Sequence, residues 1–378
     1  MINYLMLSTK KECYFIIFLL VLLSPVVIYD VNSQPLAFSQ QYNNDEFVID
    51  NISDNDNDSV YPQVASFGNN VYVTWEESIF DNNPLNYDVL LKTSTDGGRT
   101  FGDITNLSNN TGFSEHPQIS VNGSNVYVVW ADNTSSNRDI YLISSTDGGR
   151  TFGDVINLSN NAGISSFPKI SSFKNDVYVT WNVDREDEAS TIYGKKDGVF
   201  FAKSTDGGNS FGKEIRLNLD EKPGEAQIAA NDNDVYVVWG SPDPSVSHNN
   251  NIGSNGGNGV DSGGIFFAKS TDGGNSFTSP IFIKEKFNSS NNVEIVSHSD
   301  ELIIAVQGAV SEPGGNQDIF LMKSLDRGNT FSSAQNISNN AGVSECPSAA
   351  VSIDNGIFLT WQDNTPGNND VLSTNIIL

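Results

Sequence analysis

Two short segments place acid–base and nucleophilic side chains directly before matching sequences. Glu115 and His116 precede PQIS, and Glu345 and Cys346 precede PSAA. A Glu–His pair can transfer protons, and a cysteine can attack a substrate as a nucleophile. Tyr61 holds the same position in another copy of the segment, so side-chain packing is the explanation we favour.

Few cations are placed where they could bind an anionic ligand. Arg138 and Arg185 lie in polar connections that we predict on the same face as Glu115 and His116, and Lys169 lies in a PKIS segment. A guanidinium binds a carboxylate at two points, whereas an ammonium does not. We therefore take these three residues, with Glu115, His116 and Glu345, as ligand-face candidates.

Several polar connections repeat an Asp-Asn pair that is followed by a second aspartate. Asp132 is paired in this way with Asp139, and Asp363 with Asp370. Carboxylate and amide oxygens are hard ligands that suit Ca²⁺, so these four residues are the candidate metal ligands. The alternative is that Asp and Asn only frame tight β-connections. No other cofactor is indicated, and the three histidines lack metal-ligand spacing.

The elements that must position these residues come from an internal repeat. An apolar, β-rich run ends in tryptophan five times, as in VYVTW, and a sixth copy reads LIIAV; the runs end at Trp75, Trp130, Trp181, Trp239, Val306 and Trp361. Each run is followed by a polar loop and a second apolar strand with alternating side chains. Repeats at the spacing of these six runs, several tens of residues apart, indicate a propeller or a solenoid.

Five of the second strands continue into a turn of the form S-x-D-x-G-x-[ST]-F. The aspartate can accept hydrogen bonds from backbone N–H groups two or three residues on, and the glycine can take a positive φ. The five aspartates are Asp96, Asp147, Asp206, Asp272 and Asp326. A third and a fourth strand complete each unit.

We predict an all-β fold: a six-bladed β-propeller of four-stranded antiparallel blades. The N-terminal strand, at about 47–53, should pair beside the last strand, at about 371–378, and so close the last blade. The propeller spans 34–378. Residues 1–33 form a signal peptide or, alternatively, an uncleaved N-terminal anchor, because two lysines precede the apolar run 14–29.

The five turns resemble the Asp box, or bacterial neuraminidase repeat, and the chain is similar to sialidase-type six-bladed propellers over nearly all of 34–378. In that family a tyrosine nucleophile, its glutamate partner, an aspartate acid/base and three arginines form the site. The chain has six arginines and no Phe/Tyr-Arg-Ile-Pro motif. The three-arginine clamp that the resemblance implies is therefore not provided by this sequence.

Charge and composition exclude some partners. The formal net charge is −26, so the chain lacks the basic surface that nucleic acid requires. Contact with a membrane is expected only through an uncleaved N-terminal anchor. Frequent Asn-x-Ser/Thr sequences weakly support an exported glycoprotein. We expect a secreted or cell-surface protein.

The sequence supports three functions. The first is a non-catalytic module that binds an extracellular glycan or protein. The second is a sialidase or related glycoside hydrolase with a diverged site. The third is a structural protein of the cell surface. Saturable ligand binding would separate the first from the third, so the sequence leaves the presence of enzyme activity open.

Overall fold

The computed structural model describes 28–29, 35–36, 51–54, 57–79, 86–135, 137–160, 163–184, 198–218, 223–242, 262–288, 292–310, 316–351, 356–365 and 370–376. The chain divides into two compact units, Met1–Asn51 and Ile52–Leu378. In the first unit, β1 (Ile28–Tyr29) pairs antiparallel with β2 (Pro35–Leu36). The rest of the predicted leader, 1–33, lies outside the described residues. Within the described ranges, no helix is long and apolar enough to cross a bilayer.

The second unit is a six-bladed β-propeller, as predicted, and its blades follow one another in sequence. Blade 1 consists of β3 (Ser59–Phe67), β4 (Asn70–Ile79), β5 (Asn86–Ser94) and β6 (Thr105–Asn106). Blade 2 consists of β7 (Ser114–Asn122), β8 (Asn125–Asp132), β9 (Asp139–Ser145) and β10 (Ile156–Asn157). Blade 3 consists of β11 (Ile164–Phe173), β12 (Asp176–Asp184), β13 (Gly198–Ser204) and β14 (Ile215–Arg216).

Blades 4 and 5 are joined by a short pairing between their sheets, at Phe287↔Val310 and Asn288↔Ala309. Blade 4 consists of β15 (Ala226–Asn231), β16 (Asp234–Pro242), β17 (Ser262–Ser270) and β18 (Ile281–Asn288). Blade 5 consists of β19 (Val293–His298), β20 (Glu301–Val310), β21 (Gln317–Ser324) and β22 (Gln335–Asn336). Blade 6 consists of β23 (Ser344–Val351), β24 (Ile357–Asp363) and β25 (Asp370–Ile376).

The second strands of the inner blades form the core because both of their faces are covered. In β8, Val126, Val128 and Trp130 pack against blade 1. The alternate side chains, Tyr127 and Val129, pack against blade 3. A strand that is buried on both faces reads as a continuous apolar run, which explains the VYVVW pattern.

The five S-x-D-x-G turns, which we call the Asp turns, are closed by their own carboxylates. Asp96 Oδ1 accepts hydrogen bonds from the backbone N–H groups of Arg99, at 2.9 Å, and Thr100, at 3.0 Å. Its Oδ2 accepts one from Thr100 Oγ1 at 2.7 Å. The same carboxylate bonds occur at Asp147, Asp206, Asp272 and Asp326. The hydroxyl and backbone donors lower the pKa of all five carboxyl groups.

The Asp turns also define the two faces of the ring. The N–H of Gly97 donates to the carbonyl of Asn69 at 2.8 Å, so the first Asp turn lies beside the tight connection between β3 and β4. We call this face the lower face. The connections between second and third strands, and the crossovers between blades, lie at the opposite ends of the strands and form the upper face.

A second repeated network fixes the outer edge of the blades. In blade 2, the buried Asp139 accepts hydrogen bonds from Asn157 Nδ2, at 2.9 Å, and Ser159 Oγ, at 3.0 Å. The same Asn-x-Ser sequence binds Asp88 in blade 1 and Asp318 in blade 5. The carboxylates therefore explain three of the Asn-x-Ser sequences that the sequence analysis took as support for export.

The strands differ in length from the expected pattern. The first strands are longer than the short runs expected, since β7 begins at Ser114 and continues through a bulge at Pro117. Most outer strands contain two residues because their Asn-x-Ser segments turn inward to a buried carboxylate. Of the predicted closing strand, only 51–53 are described, and these residues form no strand. Its pairing with β25 lies outside the described residues.

The lower face yields a prediction for Gly274, which has a φ of +79° in the fourth Asp turn. A Cβ at this position would lie 2.7 Å from Cζ of Phe201 in blade 3. We expect Gly274→Ala to lower the free energy of unfolding by about 2–4 kcal/mol, from backbone strain and overpacking together. Urea denaturation measures the change.

Gly68→Ala is the matched control. Gly68 also has a positive φ, +61°, but a Cβ there would meet nothing within 4 Å. This variant should therefore lose only the backbone part, about 1–2 kcal/mol. Equal losses in the two variants would show that the contact between blades 3 and 4 does not constrain the turn.

The outer-edge network predicts how the ring closes. Ser53 lies in an Asn-x-Ser sequence, like Ser108, which binds Asp88. Asp370 occupies the position on β25 that Asp88 occupies on β5. If Ser53 binds Asp370, Ser53→Ala should cost about 1–3 kcal/mol, as should Ser108→Ala. A double-mutant cycle with Asp370→Asn should then give a coupling energy. Purely additive losses would argue against this contact.

Candidate binding site

Four of the six first strands contain a bulge at the upper end of the central channel. The register shifts between Val60 and Gln63 in β3, and equivalent shifts occur in β7, β11 and β23. The residue before the proline has a positive φ each time: Tyr61 (51°), His116 (56°), Phe167 (51°) and Cys346 (54°). Such a conformation is costly for a bulky residue, and proline disfavours helical conformations of the residue before it. Bulges of this kind re-aim side chains.

Three of these side chains form a row of rings at the channel mouth. The centroids of Tyr61 and His116 lie 4.9 Å apart, and those of His116 and Phe167 lie 5.1 Å apart. Tyr61 is 55% exposed. The Nδ1 atom of His116 is buried and has no hydrogen-bond partner among the described residues. Burial lowers the pKa of His116, which favours the neutral imidazole.

The channel below the row contains a cavity of about 510 Å³, lined by residues of all six first strands. This volume lies in the usual range for small-molecule sites. One residue of each PQIS-like segment contributes to the wall, and together they form the channel ring: Gln63, Gln118, Lys169, Gln227, Glu294 and Ser348. The polar ring can donate hydrogen bonds to a ligand and accept them from it.

Charges in the cavity wall are few. Lys169 is the only cation among the described lining residues, and Glu225 and Glu294 are the carboxylates. Burial raises the pKa of Glu294 to about 7, and the charge of Lys169 opposes this effect. The cavity therefore gains negative charge as the pH rises past neutrality.

A carboxyl pair lies beside the aromatic row. Glu115 forms an ion pair with Arg138 at 2.5 Å. The buried Glu76 accepts a hydrogen bond from the N–H of His116 at 3.2 Å. Burial raises the pKa of Glu76, the charge of Glu115 raises it further, and the His116 N–H and Arg138 act against this. Glu76 therefore retains its proton to a higher pH than an ordinary glutamate.

Blade 5 has the uncharged version of the same arrangement. Gln307 occupies the position of Glu76, accepts a hydrogen bond from the N–H of Cys346 at 3.2 Å, and donates to Glu345 at 3.5 Å. An amide can donate and accept at once, whereas a carboxyl group can do so only when it is protonated. An amide at this position avoids the repulsion between carboxylates by which Glu115 raises the pKa of Glu76.

The structure brings together most of the ligand-face candidates. His116 and Lys169 contribute to the mouth and the channel ring, and Glu115 is paired with Arg138 beside them. Glu345, on the sixth blade, accepts a hydrogen bond from Gln307 of the fifth blade. Arg185 lies outside the described residues. Burial and nearby carboxylates raise the pKa of Cys346, which disfavours the thiolate that a nucleophile needs.

The candidate metal ligands are occupied by protein donors. Asp132 accepts hydrogen bonds from Trp130, Ser114, Asn110 and Thr134. Burial acts to raise the pKa of Asp132, but these hydrogen bonds outweigh it and lower the pKa.

Equivalent donors bind Asp363, and Asp139 binds Asn157 and Ser159. The side chain of Asp370 lies outside the described residues. The described part of the chain contains no group of three acidic, His or Cys side chains that could hold a metal. Calcium binding stays a prediction, and these bonds match the alternative in which the aspartates frame connections.

Sequence reasoning did not select Glu76, Glu225 or Glu294. Glu294 could have been found by aligning VEIV with PKIS, because it takes the position of Lys169. Glu76 follows a core tryptophan, and its partner Glu115 is in the next blade. No local pattern in the sequence indicates that pairing.

Several glycoside hydrolases of known structure have a similar fold. An α-L-arabinofuranosidase from Fusarium graminearum aligns with a TM-score of 0.53 at 14% identity, over 84% of this chain and 92% of the enzyme. An intramolecular trans-sialidase from Ruminococcus gnavus aligns with a TM-score of 0.52 at 12% identity, over 85% and 94%. These identities show a shared fold only.

A sialidase from Trypanosoma rangeli aligns with a TM-score of 0.51 at 12% identity, over 94% of this chain. The chain spans only 58% of that enzyme's length. No protein-family model matches this sequence, and no curated protein sequence does. The fold is thus that of sialidase-like propellers, and the chemistry must be argued from the chain's own residues.

The carboxyl pair gives a pH prediction. Because the folded state raises the pKa of Glu76, wild-type stability should fall as the pH rises from about 4.5 towards the folded pKa. Glu76→Gln removes this titration, so its stability relative to wild type should increase over the same window and then level off. The gain should be about 1.4 kcal/mol per unit of pKa shift. Urea denaturation between pH 4 and 8 tests this.

The reciprocal control is Gln307→Glu, which places a carboxyl group beside Glu345. This variant should acquire the pH dependence that Glu76→Gln loses. A Glu76→Gln variant whose stability stays parallel to wild type at every pH would contradict a raised pKa of Glu76 in the folded state.

Proposed function

We propose that this chain is an extracellular Asp-box propeller that binds a glycan at the channel mouth without cleaving it. The observation that carries the proposal is the row of Tyr61, His116 and Phe167 above the amide-rich cavity. Aromatic rings offer an apolar face on which the C–H face of a sugar can lie. The amides below offer donors and acceptors for hydroxyl groups.

The positions of the arginines support a non-catalytic role. Arg99, Arg150 and Arg327 belong to Asp turns on the lower face, and Arg327 pairs with Asp234. Arg216 is on an outer strand, and Arg138 is held by Glu115. Among the described residues, no arginine lines the cavity. A clamp for a sugar carboxylate would therefore require residues outside the described ranges.

A glycoside hydrolase is the second candidate, and one observation favours it. Tyr61, Lys169 and two glutamates surround a single cavity. A carboxyl group with a pKa of about 7, such as that of Glu294, suits a general acid at neutral pH. Tyr61 would then be the candidate nucleophile.

Hydrolysis assays with the chain from 34 to 378 separate the two candidates. Fluorogenic sialosides and neutral glycosides would be tested with and without Ca²⁺, and we expect no release above buffer. Turnover that is lost in Tyr61→Phe but kept in Tyr141→Phe would establish the hydrolase instead. Tyr141 is the control because it packs beside Trp130 in blade 2 and does not line the cavity.

A binding assay then tests the glycan proposal directly. A glycan array with the same protein should give saturable binding that Phe167→Ala weakens about tenfold or more, because the platform loses its third ring. Phe358→Ala is the control, since Phe358 is an exposed ring on β24 and does not belong to the aromatic row. Equal binding by both variants would contradict a site at the channel mouth.

A further inference from the structure

The charges of the channel favour one class of sugar. We infer that the site takes amino sugars and neutral sugars and discriminates against carboxylated ones such as sialic acid. This inference rests on the proposed glycan-binding function and specifies its ligand. It departs from the ligand that the sialidase-like fold would suggest.

The channel ring shows how the charges arise. Three of its six positions are glutamines, at Gln63, Gln118 and Gln227. Lys169 and Glu294 take equivalent positions on either side of Gln227, and the charge of Lys169 acts to lower the pKa of Glu294. The lysine therefore faces a carboxylate within the ring and is not an isolated receptor for an anion.

Glu225 adds a second carboxylate to the cavity wall, so the wall has an excess of negative charge once Glu294 ionises, above about pH 7. Glu225 lines the cavity on blade 4, next to the ring, and no second cation lines the described wall. Glu225 also acts on His116 and on Cys346, so its field reaches both sides of the mouth. His116 cannot offset this charge, because burial favours its neutral form. An ammonium group on the ligand would be attracted to this wall, and a carboxylate would be repelled.

The charge of the whole chain acts in the same direction. A net charge of −26 lowers the local concentration of anions and raises that of cations. The aromatic row contributes equally to every sugar, whatever its charge. The rings therefore contribute to the binding of every sugar. Glu225, Glu294 and Lys169 determine which charge on the sugar is preferred.

Calorimetric titration with three probes tests the inference. The probes are a glucosamine trimer (cationic), an N-acetylglucosamine trimer (neutral) and sialyllactose (anionic), each at pH 7.5 and low salt, where Glu294 is largely ionised. We expect the tightest binding for the glucosamine trimer and about tenfold steps between the classes. Adding salt should narrow the differences, because it screens the charges.

Substitutions by glutamine remove the charges that select between ligands. Glu294→Gln and Lys169→Gln place glutamine where three other blades have it. Glu225→Gln should weaken glucosamine-trimer binding about tenfold and leave the N-acetylglucosamine trimer unchanged. Lys169→Gln should strengthen the glucosamine trimer. Asp154→Asn, a substitution at an exposed carboxylate beyond the second Asp turn, should change none of the three affinities.

The outcomes are distinguishable. Tightest binding of sialyllactose, or equal affinities for all three probes, overturns the inference and leaves glycan binding in place. Binding of no probe, together with no effect of Phe167→Ala on the array, overturns the proposed function as well. The expected order of affinities, reduced by Glu225→Gln or Glu294→Gln and unchanged by Asp154→Asn, supports both.

Discussion

The architecture depends on the burial of each second strand between two neighbouring blades. In β8, one set of alternate side chains belongs to the core shared with blade 1, and the other belongs to the core shared with blade 3. No inner blade has a core of its own, so none can be expected to persist without both neighbours. The ring must therefore form as one cooperative unit, and its two terminal blades are where the arrangement is most exposed. Val64 in blade 1 and Val371 in blade 6 are 68% and 77% exposed.

This constraint leaves the channel mouth free to vary. The Asp turns hold five of the blades at the lower face, and buried aspartates hold the outer edges of blades 1, 2 and 5. These contacts lie away from the bulged residues at the channel mouth. One scaffold position accordingly holds an aromatic ring at Tyr61, an imidazole at His116 and a thiol at Cys346. Such variation suits a binding surface, because the side chain can change while the backbone conformation that positions it stays the same.

Features formed within one segment of the chain could be predicted from the sequence. Contacts between residues of different blades could not. The tryptophan runs and the Asp turns are local patterns, and they were enough to predict a six-bladed propeller. The bulges were missed because proline after Tyr61 or Phe167 normally favours extended backbone at the preceding residue. Glu76 was missed because its effect depends on Glu115 and the His116 N–H, which come from the next blade. The closing strand lies largely at residues that the structure does not describe.

Similarity of fold and similarity of ligand are separate questions in this chain. A sialidase-like ring needs blades that pack against each other, and the apolar cores between the blades do not contain the channel-ring residues. In the proposed function, ligand choice rests on a few cavity side chains, such as Lys169 and Glu294 among glutamines. The proposal therefore allows a single exchange of charge there to change the preferred sugar. The charge of the cavity wall, and not the resemblance of the scaffold, is therefore the better guide to the ligand.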